Sequence, residues 1–304
     1  MPATRPETIP ALMQSLRSND ASSPRLTWYG PGGERVELSG RVLDNWVAKT
    51  ANFLVDELDA GPGSIVLLDL PAHWRGVCWA LAGWLSGVTL RFGLDRADDG
   101  GSGTDRGSET DHSSETDHSS ETDHSSETDR GSGTDHSSET DHGSETDHSS
   151  ETDHGSGTDR DVSGPVDVVA TDHPDASPAA GTTVAVALGA LEMRWNSPLP
   201  AGAVDYAAEV RAHADVFFPF TEADGGDAAV EVYGGEVTYN GLLNGYAHAA
   251  DSAERVLVRA TGLDQILREA LGIWAAGGSV VLVHPAVEAV QRLAESERVS
   301  RSLG

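Results

Sequence analysis

Apolar residues crowd most closely between Gly61 and Gly93, where GPGSIVLLDLPAHWRGVCWALAGWLSGVTLRFG sets two short aliphatic runs on either side of a tryptophan-rich one. Ile65 to Leu68 have the length of a buried strand, and the stretch that Pro71 opens and Gly87 closes has the length of a helix. A strand-helix-strand unit is predicted here, and the rest of the chain is expected to pack around it. Before it, residues 8–18 place Ile9, Leu12, Met13 and Leu16 at i, i+3, i+4 and i+7, the spacing of an amphipathic helix that lies as a lid over a core edge. RLTWYG and ERVELS flank Pro31-Gly32-Gly33 and predict a β-hairpin. Ser39 is placed to cap a helix from Gly40 to about Leu58, with Leu43, Val47, Leu54 and Leu58 on one face.

After Gly93 the pattern stops. Residues 101–160 are ten tandem hexads of the form [GS]-S-[EG]-T-D-[HR], without one aliphatic or aromatic side chain. Ordering sixty residues costs roughly 60 to 120 kcal/mol in backbone entropy, and this segment has nothing to bury in exchange. A disordered acidic loop is expected over 96–163, and a hexapeptide solenoid is excluded because its rungs need an aliphatic filling. Apolar patterning resumes at Val166. Strands are predicted at VDVVATD, TTVAVALG, AAVEVY, RVLVRA and SVVLVH, and helices over 203–214, 238–250 and 263–276 and from Ala286 onward. Alternating strands and helices imply an α/β fold with a mostly parallel sheet and flanking helices, residues 1–95 and 164–304 forming two parts of the same domain.

Composition and charge narrow the partners. The 304-residue chain carries −29, of which the hexads contribute −14 (three Arg against ten Asp and seven Glu), leaving −15 on the other 244 residues. Such a chain repels nucleic acid and anionic membrane surfaces. No run reaches the ~18 apolar residues of a membrane span, and the N-terminus lacks the apolar core of a secretory signal. The single cysteine, Cys78, has no partner in the chain, which fits a reducing cytoplasm.

Candidate chemistry is sparse. Asp172-His173-Pro174 stands at a strand end, where α/β proteins place ligands, but a strand-to-turn junction also favours these residue types. Asp-His pairs recur in the hexads, as at Asp111-His112, Asp117-His118 and Asp123-His124, and offer metal-binding groups without fixed geometry. His213, His248 and His284 stand singly, with no metal spacing. Trp74, Trp79 and Trp84 read first as a thickly covered core helix and second as a pocket lining. Gly101 and Gly103 lack the preceding strand of a dinucleotide fingerprint, and no Gly-x-Ser-x-Gly elbow is present.

The residues that carry a family resemblance are structural. Gly61-Pro62-Gly63-Ser64, the strand Ile65 to Leu68, Leu70-Pro71 and the helix closing at Gly87-Val88 resemble the opening of the AMP-binding, adenylate-forming superfamily, which includes the acyl-CoA synthetases. The preceding helix, with Leu43, Ala48, Ala51 and Asn52 ahead of Leu54, is similar to that family's first helix, and Asp167 to Asp172 to its next strand. Arg255 to Val258, Glu269-Ala270-Leu271 and Ala276 to Val283 look like the strand-helix-strand after its phosphate loop. A short actinobacterial group resembles the chain as well. The resemblance implies the fold of the family's N-terminal domain. It also implies a Ser/Thr/Gly-rich phosphate loop ending in lysine between Ala229 and Thr238, where the chain instead reads AVEVYGGEV, with Glu231 and Glu236 set to repel phosphate. Lys49, the only lysine, matches neither of the family's lysines, and the family's later motifs and small C-terminal domain would fall beyond Gly304. The expectation is therefore a truncated, non-catalytic pseudoenzyme with no catalytic residue, resident cofactor or metal. It would bind an unknown protein partner, a second copy of itself or an adenylate-type small ligand. The alternative is a residual nucleotide-binding enzyme or one half of a split adenylating enzyme.

Overall fold

The computed structural model describes residues 5–93, 164–177, 181–232, 235–259 and 262–304. Helix α1 (Ile9–Ser18) is capped by the Thr8 hydroxyl and buries Ile9, Leu12, Met13 and Leu16, the stripe their spacing predicts. Strands β1 (Pro24–Tyr29) and β2 (Arg35–Ser39) pair antiparallel across a short turn at Pro31–Gly33. The Ser39 hydroxyl accepts from the Val42 amide and opens α2 (Gly40–Asp56). The central unit follows as β3 (Ile65–Asp69), α3 (Trp74–Ser86) and β4 (Thr89–Phe92). Helix α3 ends where Gly87 takes the left-handed conformation at φ 88°. It begins at Trp74 rather than at Pro71, because the His73 side chain supplies the cap: its Nδ1 accepts from the Arg75 amide.

Beyond the repeat come β5 (Val168–Thr171), β6 (Thr182–Ala185), β7 (Val204–Asp205), α4 (Tyr206–Glu209), β8 (Ala228–Val232) and β9 (Gly235–Thr238). The chain then forms β10 (Arg255–Val258), α5 (Leu263–Ala275), β11 (Ser279–Val283), α6 (Val290–Ser296) and β12 (Arg301–Leu303). Two predicted helices are corrected. The one expected over 203–214 is the single turn α4 followed by a 3-10 turn at Val210–Ala212. The one expected over 238–250 is a 3-10 turn at Tyr239–Gly241 and a π turn at Leu242–Tyr246, because Asn240, Gly241, Asn244 and Gly245 are poor helix formers. The last helix starts at Val290 rather than Ala286, behind the turn that Pro285 makes.

Among the described residues the strands form two sheets instead of the one expected, in the orders β12-β10-β11-β1-β2 and β7-β6-β5-β3-β4-β8-β9. Only the β1-β2 and β8-β9 pairs are antiparallel. Strands from both sides of the repeat interleave, β3 lying between β4 and β5. One apolar core joins α1, α2, α3 and α5 to a face of each sheet, with Trp28, Phe53, Trp79 and Trp274 fully buried in it. Burying each large side chain contributes roughly 1.5 to 3 kcal/mol, so this core dominates the favourable side of folding. The opposite face of the smaller sheet, at Leu257, Val281 and Val283, packs on Leu293 of α6. Helix α5 approaches the 248–249 backbone so closely that a Cβ at Gly272 would lie 1.6 Å from the His248 carbonyl oxygen. No helix of the described residues is long and apolar enough to cross a membrane. The loop expected over 96–163, with its Asp-His pairs and with Gly101 and Gly103, lies outside the described residues.

Candidate functional site

Because β1 and β11 run parallel in one sheet and β3, β5 and β6 in the other, the segments that follow them meet at one edge. Trp28, near the end of β1, sets its ring against His73, the cap of α3, at 4.8 Å between ring centres, and against His284, just after β11, at 6.0 Å. The Trp28 Nε1–H donates to Glu34 Oε2 at 2.9 Å, and Glu34 Oε1 accepts from the Ala190 amide at 2.7 Å. That pairing needs Gly30, where any Cβ would stand 2.4 Å from Glu34 Oε2. The loop after β6 is folded on itself by the Gly189 amide, which donates to Glu192 Oε2 at 2.9 Å.

His73 is 4% exposed, and its pKa is pushed down to about 3, first by burial and then by the charge of Arg75 and the proximity of His284. It is neutral at pH 7. Since Nδ1 accepts a hydrogen bond, the proton sits on Nε2. The next residues carry the charge and the ring system of the site. Arg75 is 3% exposed and lies 4.6 Å from the centre of the Trp74 ring and 5.5 Å from that of Trp46. Burial lowers its pKa, but a guanidinium stays protonated at any physiological pH. Its Nη2 donates to the Gly189 carbonyl at 3.2 Å, while its Nε and the Nε1 of Trp74 have no hydrogen-bond partner. Such an arrangement holds an anion well. It offers no poised nucleophile, since burial pushes the neighbouring Cys78 thiol up to about 12.

The candidates from sequence fall elsewhere. Asp172 and His173 form the turn after β5, with His173 N donating to Thr171 Oγ1 at 3.0 Å and the imidazole 58% exposed. Trp74, Trp79 and Trp84 are all buried, and Trp84 Nε1 donates to the Ala229 carbonyl, tying α3 to β8. Lys49 clamps the segment after α4 to α2, 2.7 Å from Asp215 Oδ1. His213 stacks edge-on against Phe53, and His248 pairs with Glu269 at 2.7 Å. Of these candidates, Trp74, against Arg75, and His284, against Trp28, reach the edge. Glu231 is ion-paired with Arg91. Among the described residues, no group of three or more His, Cys, Asp or Glu is placed to hold a metal. A separate cavity of about 460 Å³ lies between α1, α2, the end of α3 and the 216–225 loop, lined by Met13, Trp84, Phe217 and Tyr239 among others. His73 and Arg75 escaped the sequence reading because they sit inside the most apolar run of the chain. The usable signal was the charged residue itself, in a run where each neighbour is apolar.

No family model matches the chain. Along 99% of its length it is 29% identical to a TIGR03089 family protein of Mycobacterium tuberculosis, all of which is covered. Among solved structures it is similar to a Brucella canis acyl-CoA synthetase (TM-score 0.59, 14% identity, 99% of this chain and 48% of that one). It is also similar to a Mycobacterium tuberculosis fatty acyl CoA synthetase (0.56, 12%, 97% and 49%). A third is the Klebsiella oxytoca NpsA N-terminal subdomain in complex with anthranilyl-AMSN (0.55, 9%, 98% and 59%). The chain spans about half the length of the two synthetases. The expected resemblance to a short actinobacterial protein and to the adenylate-forming superfamily is thus met, and the chain carries the fold of the N-terminal domain of the adenylate-forming enzymes.

Proposed function

We propose that the chain is a non-catalytic binding protein built on the adenylate-forming fold and working in the cytoplasm. The observation that carries this reading is the β8-β9 hairpin, which stands where the resemblance puts the phosphate loop. Polyphosphate is held by free backbone amides and a cation. Here the backbones pair with each other, Glu231 opposite Glu236 and Val232 opposite Gly235, and of the two carboxylates Glu231 is held by Arg91 while Glu236 is exposed. Lys49, the only lysine, is committed to Asp215. Support for an interaction role comes from Leu191, Phe218 and Phe220, which are 79% to 91% exposed; apolar side chains in contact with water are what a partner or a second copy covers.

ATP-pyrophosphate exchange with a panel of carboxylic acids tests the reading: no exchange above the protein-free blank is expected, and exchange that scales with protein concentration sinks it. Thermal unfolding then sorts the kinds of binding. A midpoint raised several degrees by AMP or an acyl-adenylate analogue, ~2.7 kcal/mol at 100 times Kd, assigns an adenylate-type ligand. An unmoved midpoint assigns the role to a protein partner or a second copy.

A further inference from the structure

Among the described residues, Arg75 is a buried charge of the carboxyl edge with no ion pair. Its contacts among the described residues are the Gly189 carbonyl and the faces of Trp74 and Trp46. Only one of its five N–H groups makes a hydrogen bond, and the Nε–H is buried without an acceptor. Burying a cation in this way is costly, and two indole faces offset only part of that cost. The Trp74 Nε1–H is likewise buried and unmet, on the ring whose centre lies 4.6 Å from the guanidinium carbon. The other charged groups nearby are Glu192 and Arg211. Glu192 makes no ion pair with Arg75 and accepts instead from the Gly189 amide and the Asn196 side chain. His73 is neutral. Arg75 lies in the first turn of the 13-residue helix α3, where backbone dipoles favour negative charge.

We propose that Arg75 anchors an oxyanion site between Trp46, Trp74 and the loop that begins at Gly189. The guanidinium fork would take two oxygens of a carboxylate or phosphate group, and Trp74 Nε1–H would complete the contact. The loop is light enough to yield: it is tied to the edge by the Arg75 and Glu34 hydrogen bonds, and Leu191 and Met193 project from it, 91% and 60% exposed. The proposal deepens the binding reading above in taking the carboxyl edge as the ligand side. It does not depend on the outcome of the exchange assay.

The test is titration of the full chain with sodium benzoate and, separately, inorganic phosphate at constant ionic strength, followed by tryptophan fluorescence and by the ¹⁵N-¹H resonance of Arg75 Nε. Saturable binding of one equivalent is expected, with the Arg75 Nε resonance moving in step. Arg75→Met should weaken it at least tenfold, and Arg75→Lys, which keeps the charge without the fork, should weaken benzoate more than phosphate. If benzoate binds and phosphate does not, the site reads planar carboxylates; the reverse assigns tetrahedral anions. Should Arg75→Met fail to fold, the Lys variant and the wild-type Nε resonance still decide. The proposal falls if neither anion saturates, if the Nε resonance stays still while fluorescence changes, or if the Lys variant binds both anions like the wild type.

Discussion

Arg25 and Arg75 are both buried, at 9% and 3% exposure, and the Nε–H of each lacks an acceptor. Arg25 stands near the start of β1, at the amino edge of its sheet, and its two terminal nitrogens donate to the carbonyls of Gly277, Gly278 and Asn19. It closes the turn before β11 and the end of α1 in one stroke. Arg75, at the carboxyl edge, reaches one carbonyl and otherwise lies on indole rings. The same residue type, equally hidden, serves as a clamp in one place and as an unspent donor in the other. What separates them is the number of backbone acceptors that the surrounding loops bring within reach.

The comparison can be broken most directly by removing the clamp. Arg25→Met removes three hydrogen bonds to carbonyls, that of Gly278 buried, and should cost about 3 kcal/mol, a drop in Tm of roughly 6 to 12 °C by differential scanning calorimetry. An unchanged Tm would mean that Arg25 is no clamp and that the contrast is empty. The neutral His73 sharpens the other side. Its folded pKa of about 3 lies far below its ordinary 6.5, so the unfolded chain takes up the proton first and stability falls as pH drops from about 6.5 toward 3. Between pH 7 and 5 the loss should be on the order of 2 kcal/mol, and His73→Asn, which keeps a capping side chain, should flatten it. A His73 imidazole whose NMR shifts titrate above pH 5 would contradict this.

Glu297 provides a third case, a carboxylate that receives hydrogen bonds from the Tyr29 hydroxyl, Arg35 and Arg255 and is held at about 2 against the opposing effect of burial. Its contribution is present above the unfolded value near 4.5 and disappears as pH falls through 2. Glu297→Gln should lower stability at pH 7 by about 1 to 2 kcal/mol and remove that part of the acid dependence. The smallest effect belongs to Arg75→Met, within about 1 kcal/mol of wild type or slightly stabilising, because it trades an unpaired buried charge for an apolar side chain of similar length. A loss as large as that of Arg25→Met would make Arg75 a structural residue.

Much of the architecture was legible. The stripes of α1 and α2, the Ser39 cap, the Gly87 terminator and the β3-α3-β4 unit all follow from periodicity and capping, which act over a few residues. The stretches 203–214 and 238–250 were not, since their apolar residues are as frequent as in a helix while the Asn and Gly residues of the second favour turns; the strand predicted at AAVEVY between them is β8. Strand β12 is too short and polar to announce itself, and forms because Val256 to Val258 offer it a parallel edge. At the site, the sequence pointed to Asp172 and His173, of which the His173 imidazole is 58% exposed, and passed over His73 and Arg75.

What the sequence determined by itself is which stretches hide from water, because burial is written in the local spacing of apolar side chains. Tertiary structure decided which polar groups inside those stretches are satisfied. Arg25 finds two of its three acceptors some 250 residues along the chain, and Arg75 finds its single one 114 residues away. A partner at that separation is set by how two sheets and their loops meet, which no local pattern contains.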